Sequence, residues 1–69
     1  MMEKTIDVKG MMCQHCVGHV TDALAAIEGV TNVRVSLDEA KAVVDAAEGV
    51  SDEALVAAVV EAGYEASIR

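Results

Sequence analysis

The chain has 69 residues, of which 54% are hydrophobic, and a formal net charge of −7 from twelve acidic and five basic side chains. So short a chain is predicted to form one domain over residues 1–69, with a thin core. The negative charge argues against nucleic-acid phosphates or anionic lipids as partners and favours a partner with a basic docking surface.

The N-terminal segment does not have the pattern of a signal peptide or a membrane span, because charged residues interrupt it from Glu3 to Lys9. We therefore expect a cytoplasmic protein that does not insert into a membrane. In a reducing compartment, paired cysteines more often bind metal or catalyse than form a structural disulfide. The two cysteines, Cys13 and Cys16, are thus the first candidates for function.

The first third of the chain shows a strand pattern and then a helix pattern. Residues Lys4 to Lys9 alternate between polar and apolar side chains, which predicts a half-buried strand ending at Gly10. Apolar residues at steps of three and four then predict a helix from about Gln14 to Glu28, with Gly29 as its C-terminal cap. This apolar stripe consists of Val17, Val20, Leu24 and Ile27.

A hairpin is predicted next. Residues 33–37 alternate, with Val33, Val35 and Leu37 apolar, and indicate a second strand. Asp38 and Glu39 supply a turn into a third strand from about Lys41 to Ala46.

The last third of the chain predicts a helix and a strand. Ser51 is a good N-cap for a second helix, which is expected to end at Gly63. Its predicted buried side consists of Leu55, Val56, Val59 and Ala62. Alternation over residues 64–69 indicates the final strand. The order βαββαβ predicts an α+β ferredoxin-like sandwich, a four-stranded antiparallel sheet with both helices on one face.

The segment GMMCQHC, residues 10–16, joins the first strand to the first helix. Both sulfurs are therefore expected at or just before a helix N-terminus, where N–H groups and the helix dipole stabilise thiolate. Two thiolates with no carboxylate nearby favour a soft ion of low coordination number, such as Cu(I). A two-ligand site also stays open to a third thiolate from a partner, so the ion can be passed on by ligand exchange.

This motif resembles that of the heavy-metal-associated domain family and, within it, of the bacterial copper chaperones. The likeness spans the whole chain and includes GVTNVRVSL after the first helix and AGYEA at the start of the last strand. It implies Cys13 and Cys16 as Cu(I) ligands. It also implies Met11 as a core residue under the binding loop and Tyr64 as a residue packed near the site. The partner implied is a copper-transporting P-type ATPase with CxxC metal-binding domains.

Four neighbouring residues leave alternatives open. Met12 is either an exposed thioether or a weak third ligand, and zinc-exporting relatives often have a carboxylate at this position, which weakens a Zn(II) interpretation. His15 is expected to tune the site from outside the ligand set, whereas His19 is left out of the predicted site. Gly18 lowers helix propensity and either permits close approach of a partner or is simply tolerated.

Other functions are also open at this stage. A thiol-disulfide oxidoreductase also uses CxxC at a helix N-terminus. As a family, thioredoxin-like folds place a cis-proline beside the active cysteines. This chain has no proline. We therefore expect a binding protein and not an enzyme. Hg(II) or Cd(II) scavenging would use the same thiolates.

Three further expectations concern the context of the chain and its oligomeric state. A regulatory module of a larger heavy-metal transporter would have the same site chemistry, although the start at Met1 and the lack of a linker after Arg69 favour a free-standing protein. The apo protein is expected to be a monomer. Copper-bridged homodimers are expected in addition, because an open site can borrow a thiolate from a neighbour.

Overall fold

The computed structural model describes residues 2–68, so the expectations placed on Met1 and Arg69 lie outside the described residues. The elements in chain order are β1 (Met2–Lys9), α1 (Gln14–Ala25), β2 (Val30–Ser36), β3 (Lys41–Ala46), α2 (Asp52–Glu61) and β4 (Glu65–Ile68). The strands form an antiparallel sheet in the order β2-β3-β1-β4. The predicted ferredoxin-like sandwich is confirmed.

The core lies between the sheet and the two helices. Alternation in the central strands sends one face of each strand into the core, so that Ile6 and Val8 of β1 are fully buried while Lys9 is exposed. The fully buried side chains are all aliphatic: Ile6, Val8, Val20, Leu24, Ala42, Val44, Ala46, Leu55 and Val59. Among residues 2–68 no polar or charged side chain is buried, so any polar chemistry lies at the surface.

Helix α1 ends at Ala25, earlier than the predicted Glu28. The Ile27 N–H donates to the Leu24 carbonyl at 3.1 Å, which tightens the chain into a turn. Gly29 has φ +93, and a Cβ there would lie 2.8 Å from Val50 Cγ2. Ile27 still packs against the core, so the apolar stripe continued beyond the helix and misplaced its predicted end.

Strand β2 begins at Val30, three positions before the predicted start, and ends at Ser36 with Leu37 in the following turn. A register shift lies between Thr31 and Arg34, where Asn32 adopts φ +52. Such a bulge adds a residue and breaks the period-2 alternation on which the prediction depended. The other strand limits differ less: β1 begins at Met2 and β4 at Glu65, directly after Tyr64.

Helix α2 begins as predicted. The Ser51 hydroxyl accepts a hydrogen bond from the Ala54 N–H at 3.1 Å, and Asp52 and Glu53 lie in the first turn. Leu55 and Val59 are buried, whereas the predicted Val56 and Ala62 are only half-buried. Within residues 2–68, no helix is long and apolar enough to cross a bilayer.

Candidate metal centre

The two thiols lie where the loop after β1 enters α1. Cys13 is the N-cap residue, with extended φ −161 and no side-chain capping hydrogen bond. Its carbonyl accepts hydrogen bonds from the N–H groups of Cys16 at 3.0 Å and Val17 at 3.4 Å, so the first helical turn folds Cys16 back towards Cys13. The Cys13 side chain is exposed and that of Cys16 is half-buried, and neither forms a disulfide.

Gly10 and Met11 fix the loop that holds the thiols. Gly10 has φ +100, and a Cβ there would lie 3.6 Å from the Tyr64 ring, so the backbone turns directly over that ring. Met11 is half-buried and packs against the hydrophobic core, as the resemblance implied. Met12 points the other way and is 87% exposed. The first methionine therefore anchors the loop, whereas the second has a solvent-exposed thioether beside Cys13.

Tyr64 makes the Cys16 thiol unusually acidic. The pKa of Cys16 is lowered to about 7, first by hydrogen bonding with the Tyr64 side chain and then by the Met12 backbone. Partial burial of the thiol opposes this, and hydrogen bonds with the backbone and side chain of Cys13 lower the pKa further. The same contact with Cys16 raises the pKa of Tyr64, together with desolvation and the negative charges of the two cysteines. The Tyr64 hydroxyl therefore acts as a hydrogen-bond donor towards the Cys16 thiolate and keeps its own proton.

The structure adds His19 to the surroundings of the site. The Tyr64 hydroxyl oxygen lies 3.4 Å from Nδ1 of His19. The spacing of three between Cys16 and His19 in a helix was the sequence signal for this placement, since such residues share a face. His15 is exposed, and no hydrogen bond is found between its side chain and another residue in the part of the chain that is described.

This arrangement offers an ion two sulfur ligands. Within residues 2–68, no group of three or more His, Cys, Asp or Glu side chains is placed to hold a metal ion. Zn(II) normally takes four protein ligands in a closed site, whereas a soft ion such as Cu(I) accepts thiolate ligands and low coordination. The exposed position of Cys13 leaves room for a further ligand from outside the chain.

Comparison with known proteins gives relatives of two kinds. The chain is 40% identical to the copper chaperone CopZ of Enterococcus hirae over 68 residues, which is 97% of this chain and 99% of that protein. It is 43% identical to mercuric reductase of Shewanella putrefaciens over 59 residues, but these span 86% of this chain and only 11% of that enzyme.

Solved structures agree with the fold. A copper-binding domain from HMA7, a P-type ATPase, superposes with a TM-score of 0.97 at 31% identity, covering 100% of this chain and 95% of that domain. The family model described as the heavy-metal-associated domain matches residues 5–65, which include the second half of β1 and the loop and helix that hold the thiols. The chain therefore belongs to the heavy-metal-associated domain family.

Proposed function

We propose that this chain is a copper chaperone, one domain over residues 1–69, that binds Cu(I) through Cys13 and Cys16. It then transfers the ion to the CxxC metal-binding domain of a copper-transporting P-type ATPase. The observation that carries the proposal is the thiol pair at the start of α1, with Cys13 exposed, the pKa of Cys16 lowered to about 7 and no group of three or more ligands among the described residues.

Transfer follows from the open coordination. A partner thiolate forms a new Cu–S bond while the ion is still held by Cys13 and Cys16. One of these bonds then breaks, and the released cysteine takes up a proton; a second partner thiolate displaces the other cysteine in the same way, which leaves the ion on the partner. The oxidation state of copper does not change, so no electron donor or acceptor is needed. Because Cys13 is exposed, it is the sulfur that an incoming partner approaches first.

The comparisons support both ends of this exchange. The Enterococcus hirae relative, which this chain matches over nearly its full length, is a copper chaperone. The HMA7 domain, which has the same fold, is a copper-binding part of a P-type ATPase. Donor and acceptor with the same loop geometry would present equivalent thiol pairs to the ion.

Charge supports a basic partner surface. Helices α1 and α2 contain no lysine or arginine. Helix α2 contains three acidic residues: Asp52, Glu53 and Glu61. The basic residues of the sheet are largely engaged: Arg34 pairs with Asp45 at 3.4 Å, and Lys41 pairs with Glu39 at 3.2 Å. Asp52 is itself paired with Lys4 at 2.9 Å, whereas the two helices supply no lysine or arginine of their own, so the helical layer has a net negative charge that suits electrostatic steering towards a basic surface.

Hg(II) is the second candidate cargo. It is favoured by the match to part of mercuric reductase and by the chemistry of two thiolates, which does not separate Hg(II) from Cu(I). The two candidates differ in partner, since a reductase domain would accept Hg(II) and an ATPase domain would accept Cu(I).

The first test is an anaerobic Cu(I) titration of reduced protein against a competing chelator, with parallel Zn(II) and Hg(II) titrations. A Cys13→Ser/Cys16→Ser chain is the control. We expect about one Cu(I) per chain, or less where a dimer shares one ion between two chains, with Cu(I) binding lost in the control and far weaker Zn(II) binding in the unaltered chain. Zn(II) binding as tight as Cu(I) binding would contradict the proposal.

The second test follows transfer. Copper-loaded protein is mixed with a CxxC domain of a copper ATPase, and copper in each protein is measured after separation by charge. Transfer is expected to stop when both acceptor cysteines are replaced by serine. If the protein loses as much copper in the presence of the serine acceptor, the ion dissociates into solution and is not passed on by ligand exchange.

A further inference from the structure

Helix α1 contains two histidines that the proposed cargo site does not use. His15 and His19 are both exposed and both lie inside the helix. Because an α-helix has about 3.6 residues per turn, a separation of four places them only about 40° apart around the axis. Their Cβ atoms are then roughly 6 Å apart, on one face. Two histidines at this spacing also hold the metal in the helical zinc motif of metalloproteases.

A contact outside the helix orients one of the two rings. Nδ1 of His19 lies 3.4 Å from the Tyr64 hydroxyl oxygen. In a metal-binding histidine one ring nitrogen binds the ion, and the other usually forms a hydrogen bond with a neighbouring group. That hydrogen bond fixes the ring before the ion arrives. In the tautomer whose Nδ1–H donates to the Tyr64 oxygen, Nε2 of His19 is the nitrogen available to an ion.

We propose that His15 and His19 together bind one borderline divalent cation, of the class that includes Cu(II), Ni(II) and Zn(II). Imidazole nitrogen suits these ions, whereas the softer Cu(I) belongs with the thiolates. Water completes the coordination, since both side chains are exposed. The net charge of −7 attracts cations to the surface, and it outweighs the weak opposing field at the start of α1.

This site is separate from the thiol pair. The histidines do not join Cys13 and Cys16 in a cluster of three or more ligands within residues 2–68. The protein can therefore hold a soft ion at the thiols and a divalent ion on α1 at the same time. The proposal does not depend on which ion the thiols carry.

The test uses Ni(II), which does not oxidise thiols, in two backgrounds. One is the full chain with Cys13→Ser/Cys16→Ser, and the other is the unaltered chain already loaded with Cu(I). Binding is measured by calorimetry and by quenching of Tyr64 fluorescence. Tyr64 is the only tyrosine of the chain, which has no tryptophan or phenylalanine, and it lies beside His19, so a Ni(II) ion on His19 should reduce its emission.

The matched control exchanges two neighbouring residues. Gln14→His combined with His15→Gln keeps the composition and two exposed histidines, but separates them by five positions, or about 140° around the helix. We expect Ni(II) affinity to fall at least roughly tenfold in this variant and in each single variant, His15→Gln and His19→Gln. Saturable quenching of Tyr64 should be lost in parallel.

Two results would overturn the proposal. One is a Ni(II) affinity of the variant with Gln14→His and His15→Gln that lies within about twofold of its parent's. The ion would then bind without two histidines four positions apart. The other is no saturable binding in either background. Cu(I) titration of the unaltered chain reports the thiol site, and Ni(II) titration of Cys13→Ser/Cys16→Ser reports the histidine pair, so failure of the divalent site and failure of the thiol site are distinguishable.

Discussion

The hydroxyl of Tyr64 lies 3.4 Å from Nδ1 of His19, although 45 positions separate the two residues in the chain. The contact ties the residue before β4 to the second turn of α1. Because Tyr64 also hydrogen-bonds with Cys16, one phenol serves both the thiol site and the helix beside it. Tyr64 therefore has a chemical role as well as a packing role.

Replacing Tyr64 with phenylalanine should make Cys16 less acidic. The pKa of Cys16 is about 7, and the hydrogen bond with Tyr64 is the largest cause of its lowering. About half of Cys16 is therefore thiolate at pH 7, and Tyr64→Phe should move the midpoint upwards. The measurement is the rate of Cys16 alkylation against pH, resolved from Cys13 by peptide mass spectrometry.

The same substitution should steepen the pH dependence of Cu(I) binding near pH 7. A thiol that is more protonated must release more protons when the metal binds. Phenylalanine keeps the aromatic ring under Gly10, so it separates the hydroxyl from packing. An unchanged alkylation midpoint in Tyr64→Phe would mean that the hydroxyl does not act on Cys16.

Replacing glycine with alanine should have opposite effects on the stability of the fold within α1 and after it. A Cβ at Gly18 would meet nothing within 4 Å, and alanine is favoured over glycine inside a helix, so Gly18→Ala should stabilise the fold by about 0.5–1 kcal/mol. Gly29→Ala should destabilise it, because φ is +93 and the new Cβ would lie 2.8 Å from Val50 Cγ2. Urea unfolding of the two variants measures both signs.

Gly18→Ala also tests the two interpretations of that glycine. If Gly18 is merely tolerated, the more stable variant should transfer copper to its acceptor at the parent rate. A slower transfer with an unchanged Cu(I) affinity would instead place the partner against this part of α1.

The fold followed from local patterns, whereas the surroundings of the thiols did not. Periodicity in β1 and the capping residue Ser51 marked their elements because the signals act over a few residues. The bulge near Asn32 broke the alternation and hid the start of β2. His19 could not be assigned from spacing alone, because its partner Tyr64 reaches it only after the sheet has formed.

Truncating Leu55 should be costly because its side chain is fully buried in an aliphatic core. We expect Leu55→Ala to lower the free energy of unfolding by roughly 2–5 kcal/mol, through lost burial and the cavity left behind. Val60→Ala is the control on the same helix, since Val60 is 52% exposed, and it should change stability by less than about 0.5 kcal/mol. Similar losses for both variants would contradict the assignment of the buried face of α2.

Cu(I) should stabilise the folded chain through the thiols. An ion that binds only the folded form adds about 2.7 kcal/mol when its free concentration is 100 times Kd. Chemical unfolding in a buffer of fixed free Cu(I) should show an increment of up to this size in the parent chain, since cysteines three positions apart also bind some Cu(I) when unfolded, and none in Cys13→Ser/Cys16→Ser. The increment should be the same in Leu55→Ala, because Leu55 packs in the core whereas Cys13 is exposed. A smaller increment in Leu55→Ala would mean that the core and the binding loop are energetically coupled, which would contradict independent folding and metal-binding contributions.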